Sequence, residues 1–251
     1  MKPSLFVFFC IFGSFYNAFG QKKASEKADK LDRFRVSLGA KAGGSLSYFA
    51  NGDFERGLAQ KIRGNDTTSI FKDYNSSLLL NPIAGVFVTF HFNRHWSFTP
   101  EILLAVSGQK YDYKIGYTTG NQVQEVKSFT ELNYLQIPLL VEYAFGTNRI
   151  QPYIKVGVTP AFLLRAKEQR SYTVTNNGQT TQNTSESDLL KLKNVDSQDN
   201  GASVAAGIHL GQYFDLEARY NFGLSSLSND VNSTWQNLRN QTGNLTLGVS
   251  F

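Results

Sequence analysis

The chain has 251 residues, 41% of them hydrophobic and 14% aromatic, and a formal net charge of +5 at pH 7. Its single cysteine, Cys10, lies in a segment that we expect to be removed on export. Disulfides, thiolate zinc sites and cysteine nucleophiles are therefore excluded from the mature protein.

The N-terminus predicts export across a membrane. Lys2 precedes a largely apolar stretch over residues 5–15, and cleavage is expected near Gly20-Gln21, so residues 1–20 are predicted to be a secretory signal peptide. Residues 21–33 predict a periplasmic linker, because acidic residues interleave with the basic ones there. No nucleic-acid partner is expected from so mixed a segment. After the signal peptide there is no stretch of about 18 apolar residues, which excludes a helical membrane span.

The rest of the chain, residues 34–251, alternates between apolar and polar side chains in eight segments. Such a period of two predicts strands with one apolar and one polar face. Short connections of three or four residues alternate with four long polar ones. This pattern predicts an all-β fold, an eight-stranded antiparallel transmembrane β-barrel of the outer-membrane type. In chain order, the alternating segments are residues 34–43, 84–92, 96–109, 134–145, 151–165, 203–211, 214–224 and 244–251.

The connections predict the orientation of the barrel. The short ones are expected to face the periplasm, together with both termini, and the long ones are expected to be extracellular loops. The short connections are Asn93-Arg94-His95, residues 146–149 and Gly211-Gln212-Tyr213, and the long ones are residues 50–80, 111–128, 167–200 and 225–241.

The outward faces carry the large apolar side chains, whereas a soluble barrel would bury them inside. Aromatic residues gather on this face at the ends of the short connections. We predict that they form a periplasmic aromatic girdle at one membrane interface. Its members are Phe34, Phe92, Trp96, Tyr143, Phe145, Phe214 and Phe251.

The inward faces carry charges, which predicts a filled, polar lumen. Buried charges need partners, and eight strands leave an interior just wide enough for side chains. We therefore predict a structural charge network that holds the barrel shut; a gated proton or ion path is the alternative. Within it, His209 is expected to meet Asp215 across one hairpin. The predicted network is Arg35, Lys41, Glu101, Glu142, Lys155, His209, Asp215, Glu217 and Arg219, with Arg165 also expected to point inward.

Catalytic and metal-binding patterns are weak. His95, Ser97 and Glu101 have the residue types of outer-membrane lipid A deacylases, but His95 falls in a short connection and the other two point inward. His91 and His95 straddle a turn and lack a metal-ligand spacing. No catalytic, cofactor-binding or metal site is predicted, and we expect the protein not to be an enzyme.

Four segments carry a family resemblance: residues 35–43, 98–103, 132–140 and 217–224. They resemble the PorT-like outer-membrane β-barrel family common in Bacteroidetes. The most specific segment reads L-N-Y-L-x-I-P-L-L from Leu132, and a strand containing P-Y-I-x-x-G follows it. The resemblance implies the barrel fold and the outer membrane, and the family name comes from a component associated with protein secretion and gliding.

Together these patterns predict a non-enzymatic outer-membrane protein with a structural or interaction role at the cell surface. The resemblance adds an association with a secretion complex. A small-solute channel or transporter is the main alternative, and a lipid-modifying enzyme is a weaker one. Expected partners are outer-membrane lipid and the barrel assembly machinery, which would recognise the terminal strand ending at Phe251.

Overall fold

Ten antiparallel strands make up the computed structural model, which describes residues 34–50, 69–117, 123–146, 149–176, 179–190, 196–228 and 238–251. The predicted signal peptide and linker lie outside the described residues. No helix within these ranges is long and apolar enough to cross a membrane. The strands are β1 Arg35–Ala50, β2 Ser69–His91, β3 Trp96–Tyr117, β4 Val123–Gln136, β5 Leu139–Ala144, β6 Ile150–Asn176, β7 Gln179–Asp188, β8 Gln198–Leu210, β9 Phe214–Gly223 and β10 Arg239–Ser250.

Eight strand positions close into a ring. The order around the wall is β1, β2, β3, β4 with β5, β6, β8, β9 and β10, and β10 pairs back onto β1. This closing ladder runs from the pair Gly39–Ser250 to the pair Ala50–Arg239. The predicted eight-stranded antiparallel ring is confirmed.

One position in the ring is divided between β4 and β5 by Ile137 and Pro138. Proline has no N–H to give to a ladder, but the neighbouring strands bridge the gap. The Ile137 N–H donates to the Pro160 carbonyl (2.8 Å), and the Pro138 carbonyl accepts from the Glu101 N–H (2.9 Å). The two segments therefore act as one wall strand.

Short turns join the strands at one end of the ring, which we call the short-turn end. In the turn between β2 and β3, the Asn93 carboxamide oxygen accepts hydrogen bonds from the backbone N–H groups of His95 and Trp96, both at 2.8 Å. Gly146 and Gly211 have φ angles of +78° and +70°, which glycine adopts without steric cost. The opposite end of the ring is the long-hairpin end.

The two faces of the wall differ sharply in polarity. Val156 and Ile102 point outward and are 51% and 54% exposed, whereas their neighbours Lys155 and Glu101 point inward and are 4% and 1% exposed. Apolar side chains thus cover the outside while charged ones are enclosed, the reverse of a soluble barrel.

Strands at the long-hairpin end extend well beyond the predicted alternation. β3 and β4 pair as far as Gly116 and Val123. The interpretation of residues 167–200 as a loop is wrong over its first part, because β6 continues to Asn176 and pairs there with β7. Both sides of this hairpin are polar, so no periodicity marks it, yet its many threonines favour extended backbone. We call this extension, β3 111–117, β4 123–128, β6 167–176 and β7, the projecting sheet.

Substitution of the outward Val156 by arginine tests the assignment of faces. The apolar outer face is predicted to contact lipid, so Val156→Arg should lower the free energy of unfolding by about 2–4 kcal/mol near the middle of a membrane. Denaturant unfolding in lipid vesicles measures this, with Val156→Leu as the volume-matched apolar control. Equal stability of the arginine and leucine variants would contradict the assignment.

Candidate functional site

Inward charged side chains from six strands meet at one level of the interior, nearer the short-turn end. They lie at alternate positions of their strands, which is why they share the inner face. We call this set the charge layer: Lys41, Glu101, Glu142, Lys155, His209, Asp215, Glu217 and Arg219.

Glu217 on β9 is the centre of the charge layer. Its carboxylate accepts hydrogen bonds from Lys155 Nζ (2.8 Å), Lys41 Nζ (3.4 Å) and Arg219 Nε (2.9 Å). Arg219 Nη2 makes a further, shorter contact with the same carboxylate. Three cations therefore surround a carboxylate that is 1% exposed.

Glu101 on β3 provides the second point of attachment. Arg219 Nη2 donates to both of its carboxylate oxygens, at 2.8 and 2.9 Å, and Lys41 Nζ lies 2.8 Å from Oε1. Since both cations also contact Glu217, the charges from β1, β3 and β9 form one connected group. Such pairing is what makes the burial of charges tolerable.

Glu142 on β5 extends the group towards the short-turn end. Lys155 Nζ lies 3.2 Å from Glu142 Oε2, and the Ser97 hydroxyl donates to Oε1 at 3.1 Å. His209 Nε2 lies 3.1 Å from the same Oε1. Lys155 thereby joins Glu142 to Glu217.

The expected contact between His209 and Asp215 is wrong, although the two residues are opposite each other in the register of β8 and β9. The Tyr153 ring stacks on the imidazole, with ring centroids 4.3 Å apart, and its hydroxyl donates to Asp215 Oδ2 at 2.6 Å. Because Tyr153 occupies the space beside both residues, the imidazole turns to Glu142 instead.

Two arginines predicted to point inward do not join the charge layer. Arg35 is exposed near the start of β1, before that strand gains β10 as a second neighbour at Gly39. Arg165 is exposed because a register shift in β6 leaves Leu164 without a partner in β4 and reverses the alternation beyond it. The inward assignment of Arg165 is therefore wrong, whereas Arg35 keeps the inward alternation of β1, opposite His91, but lies exposed at the short-turn end, outside the charge layer.

An apolar layer, which the sequence analysis missed, fills the interior towards the long-hairpin end. Wall residues Phe49, Leu132 and Leu163 pack there with Leu189 and Leu227 from the connections. The wall residues occupy inward positions among polar neighbours, and the others lie in segments without alternation, so no sequence pattern marked them. The full cluster is Phe49, Val126, Leu132, Tyr134, Ala161, Leu163, Ala166, Leu189, Leu227 and Leu238.

The aromatic residues assigned to a girdle lie on the outer face at the short-turn end. Trp96 and Tyr143 contact edge to face with centroids 5.0 Å apart, and Phe145 lies 5.1 Å from Tyr143. The ring centroids of Phe34 and Phe92 are 6.4 Å apart. Rings on this surface therefore contact one another along the rim, and Phe214 and Phe251 are exposed there as well.

The residue types considered for lipid A deacylation are not brought together. Ser97 bonds Glu142, while Glu101 is held by Lys41 and Arg219. His95 Nδ1 contacts the Ala144 carbonyl (2.9 Å). Within the described ranges, no group of three His, Cys, Asp or Glu side chains could hold a metal ion.

Replacing the central carboxylate tests the charge layer. Glu217→Gln keeps the shape of the side chain but removes the one carboxylate that Lys41, Lys155 and Arg219 all contact. We expect a loss of about 3–5 kcal/mol in the free energy of unfolding, measured by denaturant titration in vesicles. Glu186→Gln, in the exposed pair with Lys167, should cause no measurable change. Equal stability of the two variants would contradict the structural role of the layer.

Comparison with solved structures finds several outer-membrane proteins with low sequence identity. The attachment invasion locus protein Ail of Yersinia pestis is 10% identical, with a TM-score of 0.33, and the match covers 86% of this chain and 97% of Ail. Neisserial surface protein A is 12% identical, with a TM-score of 0.34 and coverage of 87% and 97%. OprG of Pseudomonas aeruginosa is 13% identical, with a TM-score of 0.39 and coverage of 89% and 99%.

No curated protein matches this chain. A protein-family model does: the family described as "Outer membrane protein beta-barrel domain" matches residues 19–229, which is most of the sequence. The matched region includes every wall strand except β10. The chain therefore belongs to this family of outer-membrane β-barrel proteins.

Proposed function

We propose that this outer-membrane barrel is a non-enzymatic, non-conducting scaffold that presents the projecting sheet at the cell surface. In this proposal the short turns and both termini are periplasmic, the long hairpins are extracellular, and the signal peptide is cleaved near Gly20-Gln21. The aromatic girdle then lies at the periplasmic interface of the membrane.

The occupied interior is the observation that carries this proposal. In an open channel, water would reach the side chains that line the lumen. Here Glu101 and Glu217 are each 1% exposed, and Arg219 on β9 reaches across the ring to Glu101 on β3. The apolar layer lies between these side chains and the long-hairpin end. This arrangement favours a scaffold over the alternative, a small-solute channel.

The projecting sheet is the part of the chain best suited to meet another molecule. Beyond Leu164, β6 continues for twelve residues, about 40 Å along the strand, and carries β7 along its edge. Lys167 bonds Glu186 across this hairpin and lowers the pKa of that carboxyl. A surface held in a paired sheet loses less conformational freedom on binding than a flexible loop does.

The finer assignment to the PorT-like group of Bacteroidetes is part of the proposal, with residues 132–140 as its main support. This assignment implies that the protein associates with a secretion complex. The terminal β10 strand, which ends beside Phe251, is proposed to be the segment that the barrel assembly machinery recognises. Outer-membrane lipid is the remaining proposed partner, through the apolar outer face.

Cysteine labelling in whole cells tests the proposed presentation at the surface. Cys10 lies in the predicted signal peptide, so an introduced thiol would be the only one in the mature chain. We expect Thr181→Cys in β7 to react with a membrane-impermeant maleimide in intact cells. Gln212→Cys, in a short turn, should react only after the outer membrane is permeabilised.

Both positions are exposed and polar. The two variants therefore differ mainly in the end of the barrel at which the introduced cysteine lies. Heat-modifiable migration of each variant verifies that the barrel is folded. Labelling of Gln212→Cys in intact cells, with Thr181→Cys protected, would overturn the proposed orientation.

A further inference from the structure

The outer edge of β7 is left open by the lengths of the neighbouring strands. β7 pairs with the same side of β6 that β8 occupies nearer the short-turn end. The next wall strand in that direction, β9, ends at Gly223, which is level with Thr159 of β6 through Gly201 of β8. The pairing of β6 with β7 begins only at Lys167. Among the described residues, β7 therefore pairs with β6 alone.

β7 carries none of the features that commonly protect a free edge, which include proline, lysine and bulges. Gln179–Asp188 contains neither proline nor lysine, and its ten register pairs with β6 run without a shift. The first eight of these residues are all exposed. The edge is thus a regular template for another strand, about 23 Å long over residues 179–185.

The side chains of residues 179–185 are suited to pair with others of their own kind. The Thr184 hydroxyl oxygen lies 3.2 Å from that of Ser171 across the hairpin, and Thr180 makes the same kind of contact with Thr175 at 3.3 Å. Cross-strand hydroxyl pairs of this kind stabilise a sheet. Residues 179–185 carry no charge, so nothing in them selects a partner of opposite charge.

We propose that the edge of β7 pairs with β7 of a second copy of this protein, antiparallel and about a two-fold axis at Gln182. Gln182 is the middle of the uncharged stretch, so this register places it opposite itself and Thr180 opposite Thr184. Two identical patches meet in this way in symmetric dimers. The two Glu186 carboxylates lie beyond the ends of the paired residues, and therefore no like charges face each other.

The pairing joins copies in two facing membranes. In a single outer membrane all copies have the same orientation, so every β7 runs from its hairpin tip towards the membrane in the same direction. An antiparallel pair needs one copy inverted, which is the arrangement of two cells in contact. This step rests on the proposed function, in which the long hairpins are extracellular, whereas pairing between purified copies does not depend on it.

Charge substitutions at Gln182 test the pairing between purified full-length copies in detergent micelles, where either relative orientation is accessible. Capture of one copy by another with a different tag measures association. Gln182→Lys and Gln182→Glu each place like charges opposite each other, so each variant should self-associate about two- to fivefold more weakly than the wild-type protein. A mixture of the two variants should recover association, because lysine then faces glutamate.

Gln169→Lys is the matched control, because Gln169 is an exposed residue of β6 with a paired strand on each side. This variant should associate like the wild-type protein. A wild-type protein that stays monomeric in micelles, or a mixture of the two Gln182 variants that associates no better than each alone, would overturn the pairing and leave the edge to a strand of another protein.

Disulfide formation tests the register. Thr180→Cys and Thr184→Cys, on copies with different tags, should cross-link with each other more readily than either does with itself, because two Thr180 positions lie about 13 Å apart along the paired strands. Cross-linking of each variant mainly with itself would overturn the antiparallel register.

Mixed cell populations test the facing-membrane step. Cells with Gln182→Lys and cells with Gln182→Glu should clump with each other more than either population clumps with itself. If the purified variants associate as expected but the mixed cells stay dispersed, the facing-membrane step is overturned. The thiol labelling of Thr181→Cys reports separately whether β7 is at the cell surface, so failure of the proposed orientation is distinguished from failure of the pairing.

Discussion

Charged side chains enclosed by the barrel wall must be paired inside it, and this requirement constrains the register of the strands that carry them. The pairs Lys41–Glu101 and Arg219–Glu101 join strands that are not neighbours in the wall. A slip of one residue in any of these strands would turn its charge towards the lipid. The charge layer therefore fixes the register of the ring from within, while the backbone ladders fix it from strand to strand.

The interior is organised in layers that differ in chemistry. Charges around Glu217 occupy the level nearer the short-turn end, and the apolar layer around Leu132 lies towards the long-hairpin end. Side chains of each layer meet across the interior, so in the proposed scaffold contact with other molecules is left to the outer face and the projecting sheet.

The sequence predicts the ring, the faces of its strands and most of the charge layer. It does so because the alternation of apolar and polar residues shows which side chains of each strand share a face. It fails where tertiary contacts or local irregularities take over. A single bulge at Leu164 turns Arg165 outward, and the ring of Tyr153 separates His209 from Asp215. Leu189 reaches the interior from a connection whose sequence shows no alternation of apolar and polar residues. The projecting sheet was missed because pairing between two polar strands leaves no hydrophobic signal.

Electrical recording in planar lipid bilayers tests most directly whether paired charges close the interior. Purified wild-type protein should show no steady single-channel current steps in concentrated KCl, while an open porin in the same bilayers does. Heat-modifiable migration verifies that the inserted protein is folded. Steady, reproducible current steps from the folded wild-type barrel would contradict a lumen occupied by Lys41, Glu101, Glu217 and Arg219.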